Sequence, residues 1–172
     1  VRAARRALEL HYREGLDDPG EIARRLAGEV EPDLGGPARG VFVSLKKGGE
    51  LRGCVGTILP TRATLLEEIA ATALSSAEGD PRFPPVEARE LDDLEISVDV
   101  LEPPVPVFDL ADLDPSRYGI IVEKGRRRGL LLPDLPGITR PEQQYALACR
   151  KAGLDPGEPG ITVYRFRTSR YR

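Results

Sequence analysis

Residues 41–58 read VFVSLKKGGELRGCVGTI and contain the clearest structural signal in the chain. From Val41 to Lys46, the apolar residues Val41, Val43 and Leu45 alternate with Phe42, Ser44 and Lys46. This is the period of a strand with one buried face. A turn follows at Lys47-Gly48-Gly49-Glu50, and a second extended run continues from Leu51 to Ile58. The stretch therefore predicts a β-hairpin.

A helix and a third strand are predicted after this hairpin. Pro60 ends the extended run, Thr64 and Glu67 have the spacing of a capping box, and apolar residues at helical spacing continue to about Ser76. Residues 94–101 read LEISVDVL and alternate again, which indicates a half-buried strand.

The second half of the chain repeats this order of elements. A second hairpin is predicted over residues 118–132 with its turn at residues 125–129. A helix begins near Thr139 and ends at Gly153, and a strand covers residues 161–167. The predicted fold class is therefore α+β, with antiparallel sheets from a duplicated hairpin-helix-strand unit and an N-terminal helical region.

The N-terminal region contains two predicted helices and a loop. Residues 3–14 place several apolar side chains on one helical face. Residues 18–21 (Asp-Pro-Gly-Glu) combine an N-cap, an early proline and a capping-box partner, so a second helix begins there. Residues 31–40 are rich in glycine and proline and predict a loop that leads into the first strand.

Length and composition indicate one globular domain. The chain has 172 residues, of which 40% are hydrophobic and 31% charged, and this size suits a single core. We expect one domain over residues 1–172, with helices within residues 1–30 and two subdomains over about 38–106 and 107–172. Val1 is not a methionine, and we expect that the chain derives from a longer one.

Charge, cysteine and histidine usage narrow the chemistry. The formal net charge of −3 disfavours a broad positive surface for nucleic acid. Cys54 and Cys149 are far apart and form no C-x-x-C motif, which fits a soluble cytoplasmic protein without disulfides. His11 is the single histidine, so a centre built from several histidines is excluded, and neither a metal nor a cofactor is predicted.

Cys54 is the candidate reactive residue. Strict alternation along the second strand would place Arg52, Cys54 and Gly56 on one face. Gly53 and Gly56 weaken a strand, so they indicate a bulge or the close approach of another backbone or of a ligand. One interpretation makes Cys54 a nucleophile or covalent attachment point whose thiolate is stabilised by Arg52. In the other, Cys54 is a small buried apolar residue, as Cys149 is expected to be.

The segment DPRFPP at residues 80–85 is a second candidate region. Its aspartate and prolines predict a rigid loop from which Arg82 and Phe83 could line a pocket. It could equally be a structural crossover in which Asp80 binds backbone amides and Phe83 fills the core. The candidate substrate-binding residues are Gly53, Gly56, Thr57, Asp80, Arg82 and Phe83.

Two further features are weaker candidates. Lys124 and the triplet Arg126–Arg128 could bind phosphate or carboxylate groups, although a charged hairpin tip is more often simply solvated. The C-terminal arginines, residues 165–172, could extend this patch. His11 could act as a base for Cys54 only if the first helix packs beside the hairpin, and it is left outside the predicted site.

Several segments together resemble the AMMECR family, whose bacterial and archaeal members are called AmmeMemoRadiSam system protein A. The segment LRGCVGT at residues 51–57 is close to the family signature, with Val55 in place of isoleucine. Residues 80–85, 94–101, 127–133 and 164–166 also look like family positions.

The resemblance implies a compact α+β fold with an internal duplication, and it brings no established activity. It also implies association with Memo-like proteins and with radical S-adenosylmethionine proteins. We therefore predict a component of a modification pathway with a pocket around Arg52, Cys54, Asp80 and Arg82. One alternative is a non-catalytic adaptor that binds another protein through its glycine-rich hairpin. Another is a nucleic-acid binder that uses Arg126–Arg128.

Overall fold

The computed structural model describes residues 1–30, 34 and 36–172. Residues 31–33 and 35 of the predicted loop lie outside the described residues. Four α-helices and eight β-strands are present in the described part. They are α1 Arg2–Glu14, α2 Pro19–Leu26, β1 Val41–Lys47, β2 Glu50–Gly56, α3 Leu65–Glu78, β3 Leu94–Leu101, β4 Val105–Val107, β5 Gly119–Lys124, β6 Arg127–Leu131, α4 Pro141–Ala152, β7 Thr162–Phe166 and β8 Thr168–Tyr171.

The chain forms two compact units, each with its own sheet. The first unit comprises Val1–Val100 and Arg170–Arg172, and its sheet has the order β2-β1-β3-β8. The second comprises Leu101–Ser169, and its sheet has the order β4-β7-β5-β6. In each unit the first hairpin strand pairs antiparallel with both its hairpin partner and the strand after the helix. The predicted α+β class with antiparallel sheets and an N-terminal helix is confirmed.

Alternation along β1 builds the core of the first unit. Val41, Val43 and Leu45 are fully buried, and β3 adds Ile96 and Val98 to the same cluster as the inner faces of the helices. Burial of each such side chain stabilises the fold by about 1.5–3 kcal/mol. The helix α3 packs on both strands of this hairpin and so fixes where β2 lies.

The N-termini of α2 and α3 form as their capping residues predict. The Asp18 side chain accepts a hydrogen bond from the Glu21 amide at 2.8 Å, and Pro19 occupies the first turn. The Thr64 hydroxyl accepts one from the Glu67 amide at 3.2 Å. Both bonds satisfy amides that have no partner within their own helix.

Two short strands and a 3₁₀ helix have no counterpart in the sequence pattern. β4 lies among prolines and has only three residues. β8 has the polar sequence TSRY and is an edge strand of the first sheet. The 3₁₀ helix Ala88–Asp93 precedes β3. Edge strands need not alternate, because backbone pairing with one neighbour is enough to form them.

A glycine lets each helix lie directly on its hairpin. A Cβ atom at Gly53 would fall 2.0 Å from the Ser76 carbonyl oxygen of α3, and one at Gly129 would fall 2.2 Å from the Ala148 carbonyl oxygen of α4. The Ser76 hydroxyl also bridges the hairpin, accepting from the Val55 amide and donating to the β1 backbone. Close backbone approach thus accounts for Gly53.

A β-bulge at Arg52 changes which residues accompany Cys54. Leu45 pairs with Gly53, but the next residue, Lys46, pairs with Leu51, so Arg52 is the additional residue. Directly paired residues share a face, and Leu51 therefore lies on the face of Cys54. The alternation that would put Arg52 on that face is wrong, because a bulge shifts the two-residue period by one.

Candidate functional site

Cys54 lies in the middle of β2, opposite Ser44 of β1. The Ser44 hydroxyl donates a hydrogen bond to Cys54 Sγ at 3.2 Å, and the cysteine is partly exposed. Val43 and Leu45, the β1 neighbours of Ser44, face the buried core, so the thiol is on the opposite face of the sheet from the helices.

Asp80 holds the backbone of Cys54 in place. Its nearly buried carboxylate accepts from the Cys54 amide at 2.9 Å, from the Arg82 amide at 3.1 Å, and from Arg82 Nε and Nη2 at 2.9 and 2.7 Å. The hydrogen bonds from the Arg82 side chain hold the pKa of Asp80 well below its usual range, and the two backbone amides reinforce this against the effect of burial. The carboxylate is therefore ionised throughout the physiological range.

Arg82 is the cation beside Cys54. Its Nη2 donates to the Cys54 carbonyl oxygen at 3.2 Å, and its guanidinium lies over the Phe83 ring, 5.4 Å from the centroid. The hydrogen bonds to Asp80 raise the pKa of Arg82 against the opposing effect of burial. Half of the Arg82 side chain stays exposed, so its remaining donors can meet a ligand.

Arg52 has a different set of contacts from the one that alternation predicts. Its Nε and Nη2 bind the two carboxylate oxygens of Glu90 at 3.2 and 2.9 Å, and its Nη1 and Nη2 donate to the carbonyl oxygens of Pro84 and Pro85. The hydrogen bonds from Arg52, supported by those from the Glu87 amide and Lys47, lower the pKa of Glu90 to about 2. Arg52 thus ties β2 to the segment after the Asp80 loop and positions that loop.

The remaining predicted binding residues have protein partners of their own. Thr57 donates to Glu68 at 2.5 Å, and Glu68 is fully buried and also accepts from the amides of Thr61 and Arg62. Gly56 lies against the Phe42 ring, with space for no Cβ atom. The sequence does not predict that Glu68 is buried or that it binds Thr57. Its only signal is its place in the first turn of a helix, where a carboxylate is favourable.

A groove of about 410 Å³ lies on the Cys54 face of the first sheet. Ser44, the hydrogen-bond donor to Cys54, belongs to its wall, whereas Cys54 itself does not line it. Asp99 is buried in the wall and forms an ion pair with Arg170 at 2.8 Å. The alternating polar residues of β3 are the sequence signal for this groove. Its other lining residues include Lys46, Leu51, Glu95, Ser97 and Arg172.

The weaker candidates are engaged with nearby carboxylates. Lys124 and Arg127 both pair with Glu158, and Arg128 pairs with Glu123, which neutralises much of the positive charge at the hairpin tip. Nucleic-acid binding by this tip stays an untested prediction.

His11 contacts Glu78 and the Leu16 carbonyl oxygen rather than Cys54. Burial is the largest single effect and disfavours the charged form of His11, but the hydrogen bonds to Glu78 and to the Leu16 carbonyl oxygen, together with the charges of Glu78 and Asp17, raise its pKa.

The described residues contain neither a cluster of metal ligands nor a membrane-spanning helix. Across the chain outside residues 31–33 and 35, no three His, Cys, Asp or Glu side chains are grouped as metal ligands. Over the same residues, no helix has both the length and the apolar character to cross a membrane.

Fold and site together define an α+β protein with a partly exposed cysteine in the first of two hairpin-helix-strand units. The family model AMMECR1 matches residues 1–171, and the chain belongs to the AMMECR1 family. A protein of Thermotoga maritima is 48% identical over 150 residues, which cover 83% of this chain and 86% of that protein.

Two further matches extend the comparison. A Clostridium acetobutylicum protein is 42% identical over 153 residues, or 89% of this chain and 32% of that longer protein. The crystal structure of uncharacterized protein PH0010 from Pyrococcus horikoshii superposes with a TM-score of 0.81 at 36% identity, covering 99% of this chain and 87% of the other.

Proposed function

We propose that this chain is the AMMECR1-type component of a modification pathway that also contains Memo-like and radical S-adenosylmethionine proteins, with Cys54 as its reactive group. One observation carries the proposal: Cys54 is partly exposed, and its Sγ accepts a hydrogen bond from Ser44, a residue that lines the groove. The association with the other two kinds of protein rests on the family resemblance.

The contacts of Cys54 favour a nucleophilic or attachment role. The Ser44 hydroxyl donates to the sulfur, the Arg82 guanidinium donates to the carbonyl oxygen of the same residue, and Asp80 accepts from its amide and so fixes the strand that carries it. Cys54 would bind or covalently hold an intermediate delivered into the groove. Arg52 serves as a positioning residue through Glu90 and the Asp80 loop.

Alkylation of the folded protein tests this role. We expect iodoacetamide to modify Cys54 rapidly and Cys149 slowly, because Cys149 is fully buried and burial raises its pKa. Peptide mass mapping identifies the modified site. Ser44→Ala should slow alkylation of Cys54 several-fold at neutral pH, whereas Cys149→Ser should leave its rate unchanged. A Cys54 that reacts no faster than Cys149 would remove the nucleophile role.

A protein-docking role is the second candidate, and exposed apolar side chains favour it. Leu51, on the face of Cys54, is 38% exposed, and Leu59, just after β2, is 51% exposed. In this case Cys54→Ser would preserve both partner binding and pathway output, and Leu51→Ser would weaken binding. Loss of output by Cys54→Ser with partner binding intact would favour the reactive-cysteine role instead.

A further inference from the structure

Three arginines surround one tyrosine in the second unit. The guanidinium carbons of Arg165, Arg167 and Arg117 lie 4.7, 5.3 and 5.7 Å from the centroid of the Tyr118 ring. Arg167 Nη2 also donates to the Tyr118 hydroxyl at 3.2 Å. Cation–π contact with one ring is favourable for each arginine, but the three positive charges repel one another.

These arginines differ from the other basic side chains grouped in the same unit. Lys124, Arg127 and Arg128 each have a carboxylate within ion-pairing distance. Within the described chain, Arg117, Arg165 and Arg167 form no ion pair of this kind. The Arg165 guanidinium donates one hydrogen bond to the Asp112 carbonyl oxygen, and the Arg167 guanidinium donates one to the Tyr118 hydroxyl. Each guanidinium has five N–H donors, so most of them remain for another acceptor.

A cavity of about 200 Å³ opens beside this cluster. Tyr118, Arg165, Arg167 and the single carboxylate Glu102 supply its polar wall, and Pro103, Val105 and Phe166 supply an apolar one. Arg117 is not in the wall and adds its charge from the Tyr118 ring, so the three arginines outnumber Glu102. Its volume lies below the roughly 300–1,000 Å³ of a site that encloses a whole ligand. The space therefore suits one charged group with a small apolar attachment.

We propose that Tyr118, Arg117, Arg165 and Arg167 form a binding site for an oxyanion, the phosphate or carboxylate group of a small ligand. Guanidinium forks match both groups, and an anion between them would offset the repulsion among the three cations. The hydrogen bond from Arg167 and the charges of all three arginines already lower the pKa of Tyr118, which reflects the same positive field. This site is independent of the proposed role of Cys54.

Titration calorimetry at low salt with inorganic phosphate and, separately, benzoate tests the site. Wild type should bind at least one of the two anions, and the one bound more tightly identifies the class of ligand. Arg117→Gln, which removes a charge but no recorded hydrogen bond, should weaken binding several-fold. Arg167→Gln should weaken it roughly tenfold, the effect of losing about 1.4 kcal/mol. Circular dichroism confirms that each variant is folded.

Arg126→Gln is the matched control, because Arg126 is an exposed arginine at the hairpin turn. It should bind the anion as wild type does. The proposal is overturned if wild type binds neither anion. It is equally overturned if Arg117→Gln and Arg167→Gln bind as tightly as Arg126→Gln does.

Discussion

The two cysteines of this chain occupy opposite environments. Cys54 is partly exposed with a hydroxyl donor on its sulfur, whereas Cys149 is fully buried in the core of the second unit. Burial raises the pKa of Cys149, with a smaller opposing effect from Tyr145. Thiol chemistry at neutral pH should therefore be confined to Cys54.

Asp80 is the residue on which the geometry around Cys54 depends. Its carboxylate accepts four hydrogen bonds, so Asp80→Asn should lower the free energy of unfolding by roughly 2–3 kcal/mol. Urea denaturation measures the change. Asp92→Asn is the control, because Asp92 pairs with Arg13 on the surface and should contribute less than about 1 kcal/mol. Equal effects of the two substitutions would contradict a special role for Asp80.

Glu90 predicts a pH dependence of stability. Its pKa is about 2 in the folded protein against an ordinary value of 4.5, so the folded state favours the ionised carboxylate. The resulting stabilisation, on the order of 2 kcal/mol, is present above about pH 4.5 and is lost as the pH falls towards 2.

Urea denaturation of wild type and Glu90→Gln at several pH values checks this expectation. The wild type should be more stable at neutral pH, and the difference should shrink steadily on acidification below about pH 4.5. If the difference in unfolding free energy between wild type and Glu90→Gln stays constant with pH, the ionisation of Glu90 is not the source of that difference.

At the scale of elements, each hairpin has a glycine that allows its helix to pack closely against it. β2 carries Gly53 where α3 touches it, and β6 carries Gly129 where α4 touches it. Neither glycine has a positive φ, so close packing is the reason for them rather than backbone conformation.

Gly53→Ala and Gly129→Ala should each destabilise the protein by roughly 1–3 kcal/mol or more, because the helix backbone must move away from the strand. Thermal unfolding followed by circular dichroism measures the loss. Gly28→Ala is the control, since a Cβ atom there meets nothing within 4 Å. If all three substitutions behave alike, close packing is not what requires glycine on these strands.

At the scale of the whole molecule, the two units repeat one scheme and each has a core of its own. The orders β2-β1-β3 and β6-β5-β7 are equivalent, with one helix on each hairpin. The last residues of the chain, Arg170–Arg172, belong to the first unit, where Arg170 pairs with the buried Asp99 of β3. The sheet of the first unit is thus completed by the C-terminus.

Arg170→Ala should lower the free energy of unfolding by roughly 3 kcal/mol, because it leaves the Asp99 carboxylate buried beside fewer positive charges. Asp99→Asn in the Arg170→Ala background should recover part of this loss, which a double-mutant cycle in urea detects. Arg126→Ala, at an exposed turn, should have little effect. Strict additivity of the two substitutions would show that the pair is not coupled.

Much of the fold follows from local patterns. The hairpin at residues 41–58, the caps at Asp18 and Thr64, and the recurrence of hairpin, helix and strand depend on residues within a few positions of one another. Alternation, capping and turn chemistry act over such distances, so they can be recognised in a single sequence. The resemblance to the AMMECR family rests on patterns of the same local kind, as does the candidate role of Cys54, which stays a prediction.

The surroundings of Cys54 depend on contacts between distant residues. Because of the bulge at Arg52, Leu51 lies on the same face of the sheet as Cys54. The cation that contacts the Cys54 backbone is Arg82, 28 positions away. Asp99 and Arg170, 71 positions apart, meet in the groove. Alternation specifies only which side of an ideal strand a residue occupies. Pairing register and packing, which need the folded chain, select the partner it meets there.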